Sequence, residues 1–191
     1  VLDTYEPDFE EMSRMLFRLP GTLSRFERTG VVSTEDLLSI GAVGMSARMG
    51  GLNRDIRSSH PSLLYETLGH QPVIKHHGDV LSRVLLRRDE IRQSMQYLRQ
   101  LIQQVPAVSP ETEVPVSLQP GMFALSLVEG WRGEICHCAI TRPDGELAHY
   151  KIKDPSFHNW MALALSVRNN EISDFPICNK SFNLSYCGHD L

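Results

Sequence analysis

The sequence predicts an α+β fold, a helix-rich body built on one long amphipathic helix and followed by a small antiparallel β-sheet. Three observations carry that expectation. Over residues 80–104, Val84, Ile91, Met95, Leu98 and Ile102 recur at three-, four- and seven-residue spacing, the period of a helix with one apolar face. After residue 121 the pattern shortens to β-prone runs at 122–128, 135–141 and 147–152. Pro143-Asp144-Gly145 stands between the last two with the residues a tight turn requires. At 191 residues the chain suits one domain, 1–191. It divides into a helical part over 1–105, a polar, proline-marked linker over 106–120, and a sheet, helix and extended tail over 121–191.

Taken in order, residues 6–28 show helical spacing in Phe9, Met12, Leu16 and Leu19, broken at Pro20-Gly21. Ser33 with Asp36 three positions on is a capping-box start for a short helix ending near Gly41 or Gly44. Residues 41–72 read as an irregular, contact-rich connection. Asp79 caps the long helix and Pro106 ends it. Its Arg83, Arg87, Arg88, Arg92 and Arg99 alternate with Asp89 and Glu90, the pattern of a solvated or intersubunit face. Asp154-Pro155-Ser156 opens a helix across residues 159–166, and an extended tail finishes the chain.

Apolar residues make up 41% and charged residues 22%, with a net charge of −4, so wholesale disorder and a nucleic-acid footprint are both excluded. No window approaches the roughly 18 apolar residues of a membrane span, and no signal-peptide pattern is present. Val1 at the first position suggests that the residues begin inside a longer polypeptide. Four cysteines suit a reducing, cytoplasmic setting better than a disulfide framework.

Cys136-His137-Cys138 with Cys178, Cys187 and His189 offers a zinc reading. However, Cys136 and Cys138 fall on one face of a strand and His137 on the other, so buried thiols are the simpler account. His76-His77 reads as a loop pair. Glu129-x-x-Arg132-Gly133-Glu134 brings two acids, an arginine and a glycine to a turn between strands, either as a hairpin with its own salt bridge or as a guanidinium fork aimed at a cleft.

Glu129-Gly130-Trp131-Arg132-Gly133, with His137 four residues beyond, resembles the Glu-Ala-Pro-Arg-Gly motif and its histidine in the large subunit of nickel–iron (NiFe) hydrogenases. That family includes the quinone-site subunit of respiratory complex I. Further segments share the resemblance: Gly30-Val31-Val32-Ser33-Thr34-Glu35-Asp36-Leu37, Arg48 to Arg57, Gly78-Asp79 with Arg83, and Arg87 to Ser94. The family's C-terminal Asp-Pro-Cys-x-x-Cys falls on Asn183, Leu184, Ser185 and Gly188. Both thiolates are therefore lost, and Cys187 lies one position off. The upstream Arg-x-Cys-Gly-x-Cys motif and the quinone-site histidine and tyrosine are not among these residues.

The resemblance implies a C-terminal part of a NiFe-hydrogenase large-subunit-like fold, from the energy-converting branch, that binds no metal itself. It implies a subunit peripheral to the cytoplasmic face of the inner membrane, with an iron–sulfur small subunit and membrane subunits as partners. Electrons would pass from the partner's cluster toward a quinone or a coupled membrane module. Arg132, Glu129 and His137 are the implied catalytic residues, and Arg48, Asp55, Arg57, Trp131 and Tyr186, with Met49 as padding, the implied pocket. Asn183, Ser185 and Gly188 mark degenerate metal-ligand positions. Alternatives are an inactive scaffold or assembly subunit, an active hydrogenase subunit and a small zinc module. Exposed interfaces would let the isolated fragment pair as a homodimer.

Overall fold

The computed structural model describes residues 1–104 and 117–189. The expected linker, apart from its last residues, and the proline expected to end the long helix lie outside them. Helices α1 (Leu2–Leu16) and α2 (Pro20–Phe26) lead into α3 (Thr34–Ser39), α4 (Gly44–Arg48), α5 (Ile56–Ser59) and a 3-10 turn at Leu63–Glu66. The long helix α6 (Val80–Gln104) follows, then strands β1 (Phe123–Gly130), β2 (Gly133–Thr141) and β3 (Leu147–Lys153). Helix α7 (Pro155–Ser166), a 3-10 turn at Ile172–Asp174, α8 (Phe175–Phe182) and α9 (Tyr186–His189) complete the described chain.

Local chemistry accounts for most boundaries. Ser33 Oγ accepts from the Asp36 N–H at 3.0 Å and its hydroxyl donates to the Asp36 carboxylate at 2.7 Å, starting α3. Asp79 accepts from the Ser82 N–H at 2.8 Å and Asp154 from the Ser156 N–H at 2.7 Å, so both expected caps are formed. The strands pair antiparallel in the order β1-β2-β3, with Leu125 opposite Cys138 and His137 opposite Ile152. Arg142 N–H donates to Glu146 O at 2.8 Å across the Pro143-Asp144-Gly145 turn.

Four expectations are corrected. The tail is helical: Pro176 sits in the first turn of α8, where its missing N–H costs nothing, and Asn183 stops the helix in the left-handed region at φ 54°. The connection over 41–72 contains two short helices and a 3-10 turn, and α1 begins at Leu2. The arginines of α6 do not form one solvated face. Arg83 is 0% exposed. It donates to Ser181 Oγ (2.7 Å), Gly78 O and Gly30 O (3.0 Å each) and Met49 Sδ (3.2 Å), with Phe182 under its guanidinium at 4.2 Å.

The core joins α3, α4, α6, α7 and α8 through Leu37, Met45, Met49, Val80, Leu86, Leu163, Cys178 and Phe182. The sheet is fixed to that core at its β1-β2 turn, where backbone meets backbone. A β-carbon on Gly44 (φ +58°) would stand 2.0 Å from Gly133 Cα, so the turn can seat on α4 only while the position is glycine. Asn159 locks the contact, its amide donating to Val43 O and Arg132 O at 3.2 Å while its oxygen accepts from Val43 N–H at 3.1 Å. Gly44→Ala is expected to lower unfolding free energy by at least about 2 kcal/mol, measured by denaturant titration, because strain at positive φ adds to the clash.

Candidate functional site

The site is assembled around Arg48, at the end of α4. Its side chain is 2% exposed, and a buried guanidinium requires charge and hydrogen-bond partners. Three elements supply them. Glu129 of β1 accepts from Nη1 at 2.8 Å, Glu90 of α6 accepts from Nη2 at 2.7 Å, and Asp55 of the α4-α5 loop lies 3.4 Å from Nη1. Arg57 grips Asp55 with Nε (2.9 Å) and Nη2 (2.6 Å), a bidentate fork, and its Nη2 lies 3.4 Å from Glu90. Of the residues singled out in the sequence, Arg48, Asp55, Arg57 and Glu129 therefore meet in one network. Glu129 turns away from Arg132 to reach Arg48, so the hairpin has no Glu129–Arg132 salt bridge.

Burial alone would raise the Asp55 carboxyl, but the Arg57 hydrogen bonds and the charges of Arg48 and Arg57 outweigh it and hold the group at about 2. Glu129 goes the other way: burial, aided by the nearby Asp55 charge and only partly offset by Arg48, raises it.

A second cluster surrounds the C-terminus of α8. Arg87 donates to Ser181 O and to Phe182 O (2.9 Å), and Arg132 Nε donates to Asn183 O. With Arg83, three guanidinium groups converge on the end of one helix, where the backbone dipole is negative. Burial pulls Arg83 to about 9 and Arg87 to about 10, the latter with repulsion from Arg132, and both stay charged at neutral pH. Trp131 packs its ring 5.5 Å from the Arg87 guanidinium and keeps half its surface exposed.

The remaining sequence candidates scatter. His137 hydrogen-bonds Tyr150 OH on the sheet at 2.5 Å. Met49, expected to pad a pocket, is wholly buried beneath Arg83. Tyr186 packs on Trp160 (4.9 Å between centroids) and, with Phe175, Asn179, Lys180 and Asn183, lines a groove of about 420 Å³ beside α8. Glu90, Arg87, His70 and Tyr97 are not among the site candidates that the sequence offers. The alternation of charges on α6 hid the first two, and nothing in the local pattern marks His70.

The degenerate metal positions do not fit a nickel–iron group. Ser185 Oγ accepts from Gly188 N–H at 3.0 Å and caps α9, while Ser185 N–H donates to Ser156 Oγ at 3.0 Å. A β-carbon on Gly188 would lie 2.5 Å from the Asp154 carboxyl carbon, so a ligand side chain has no room there. All four cysteines are free, and among the described residues no group of three or more His, Cys, Asp and Glu side chains is arranged to hold a metal. No helix among them is long and apolar enough to cross a membrane.

A long helix bearing inward arginines, a small sheet seated on a glycine contact and a C-terminal loop under an arginine define a hydrogenase-like large-subunit fold. Residues 1–121 match the family described as the respiratory-chain NADH dehydrogenase 49 kDa subunit, and the chain belongs to that family. It is 30% identical over 183 residues to the carbon monoxide-induced hydrogenase of Rhodospirillum rubrum, covering 95% of this chain and 50% of that protein. It is 29% identical over 203 residues to an NADH-quinone oxidoreductase subunit of Chloroherpeton thalassium, covering 92% and 46%. In structure it resembles a chain of the membrane-bound sulfane sulfur reductase, an archaeal respiratory membrane complex, with a TM-score of 0.89, 25% identity and coverage of 100% and 53%. The chain thus spans about half the length of the relatives it matches.

Two outcomes follow from the Arg48 network. Arg48→Met leaves the carboxylates of Asp55, Glu90 and Glu129 short of a cation and is expected to cost about 3–5 kcal/mol of unfolding free energy in chemical denaturation. Asp55, depressed in the folded state, contributes stability above its ordinary value of 3.8 and loses it as pH falls toward 2. Its share, about 2 kcal/mol, should appear as acid destabilisation in that window in pH-dependent thermal melts.

Proposed function

We propose that this chain is the C-terminal part of the large subunit of a complex I-like, membrane-associated oxidoreductase, and that it carries electrons toward an external acceptor without a nickel–iron centre of its own. The observation that carries this reading is the treatment of the C-terminal loop. Its former ligand positions are spent on a helix cap and on packing against Asp154, while Arg132 still rests over the loop at Asn183. The arginine is retained where the metal ligands are not.

The acceptor we favour is a quinone, in keeping with the name of the NADH-quinone oxidoreductase relative. In this reading the donor is an iron–sulfur cluster in a partner small subunit, membrane subunits complete the assembly, and the chain sits peripherally on the cytoplasmic face. Quinone reduction consumes two electrons and two protons, and negative charge develops on the carbonyl oxygens as the electrons arrive. A fixed guanidinium such as Arg132 stabilises that charge without reorganising. Trp131 and Tyr186, both exposed, supply flat apolar surface for the ring. A sulfane-sulfur acceptor is the second reading, favoured by the whole-chain likeness to the archaeal reductase. It would use the same cations on a charged, soft substrate. The inactive-scaffold reading predicts no turnover with either.

Arg132→Met in the assembled complex is expected to lower kcat for its acceptor by about a hundredfold, with Arg132→Lys recovering part of the loss. Steady-state assays with a soluble quinone and with polysulfide distinguish the two acceptors. Unchanged turnover in the Arg132→Met complex would overturn the assignment, and stoichiometric nickel in the matured complex would overturn the metal-free part of it.

A further inference from the structure

The Arg48 network extends beyond its ion pairs. His70 Nε2 lies 3.1 Å from Asp55 Oδ2, and His70 Nδ1 lies 3.0 Å from Tyr97 OH. The imidazole is 1% exposed and is flanked edge-on by Tyr65 at 5.7 Å and Tyr97 at 5.8 Å. Asp55 is ionised, so Nε2 carries the proton it donates, and Nδ1 is left to accept from the Tyr97 hydroxyl. The half-buried Tyr97 thus reaches, through one ring, a carboxylate with no exposed surface. The three groups form one continuous hydrogen-bonded chain.

The three carboxylates are unequally compensated. Asp55 accepts the Arg57 N–H, Nε and Nη2 as well as His70 Nε2. Glu129 receives only the Ile56 N–H at 3.2 Å and Arg48 Nη1, and that nitrogen is shared with Arg54 O at 2.8 Å and with Asp55. Glu90 takes Arg48 Nη2 and also feels Arg87. Glu129 is therefore the buried acid with the weakest hold on a negative charge. Glu129 Oε1 and Asp55 Oδ2 lie 2.8 and 3.4 Å from the same Arg48 nitrogen, which makes the two acids neighbours across one cation.

We infer that Tyr97, His70 and Asp55 form a proton entry into this network and that Glu129 is the group that holds the proton taken up. Solvent supplies a proton to the Tyr97 oxygen as the Tyr97 proton passes to His70 Nδ1. His70 Nε2 then releases its own proton to Asp55, from which it moves to the less compensated Glu129. No bond other than O–H and N–H is made or broken. The charged groups facing the path are Arg48, Arg57 and Glu90. The raised Glu129 and lowered His70 affinities, both set chiefly by burial, agree with a ring that passes the proton on and an acid that keeps it. The inference rests on the same network as the proposed function but not on which acceptor is reduced.

Infrared spectroscopy of the assembled complex, with no acceptor added, tests it through the carbonyl stretch of protonated carboxylic acids. The wild type should show a band that shifts in D2O, disappears at alkaline pH and is missing in Glu129→Gln. His70→Phe keeps an aromatic ring between the tyrosines but removes both nitrogens. It should retain the band at equilibrium while slowing its exchange after a jump into D2O by about a hundredfold, and Tyr97→Phe should slow it similarly. A band that persists in Glu129→Gln overturns the inference, as does exchange in His70→Phe as fast as in wild type. If Glu129→Gln does not assemble, the two exchange measurements decide alone. Loss of quinone turnover with the band intact would fault the acceptor and leave the proton site standing.

Discussion

Burying the Arg48 guanidinium constrains the rest of the site. A cation removed from water costs several kcal/mol unless charge and hydrogen bonds replace the solvent. Here the replacements come from three places far apart in sequence: Asp55 in a loop, Glu90 on α6 and Glu129 on β1. Meeting that requirement fixes the sheet against the helix and closes the loop between α4 and α5 over both. Arg57 adds a second cation, so that Asp55 is shared rather than left as a lone buried anion. The network is a tertiary fastener first, and its unequal sharing of hydrogen bonds gives it a chemical asymmetry.

The second cluster works by a different balance. Arg83, Arg87 and Arg132 mostly face carbonyl oxygens rather than carboxylates, and they gather at the negative end of α8. Partial charges compensate full ones only incompletely, which leaves a positive field beside the C-terminal loop. In that loop Ser185 and Gly188 hold backbone geometry together. The segment is organised by the Ser185 and Ser156 hydroxyls and by the Arg132 guanidinium.

How much of this could be read in the sequence depended on the range of the interaction. The caps at Ser33, Asp79 and Asp154, the Pro143-Asp144-Gly145 turn and the start of α6 follow from residues a few positions apart, and the structure reproduces them. The helical tail was missed although Pro176 and Asn183 are orthodox start and stop residues, because α8 and α9 are too short to declare a period. Inward-facing arginines were invisible for a different reason. Charge patterning records only that a helix face is charged, and Arg83 is hydrogen-bonded by Gly30, Gly78 and Ser181, none of them acidic. The pairing of Arg48 with Glu129 spans 81 positions, and no local pattern announces it.

Helix α6 carries both clusters. Arg83 and Arg87 hold the end of α8, and Glu90, three residues after Arg87, holds Arg48. A 25-residue helix is about 37 Å long and stiff along its axis. Its later turns are held as well, Arg92 by Glu10, Tyr97 by His70 and Arg99 by Asp3 and Glu6, so it behaves as a strut fastened along most of its length. A shift of the helix along its axis would therefore load the arginine clamp and the carboxylate fastener together.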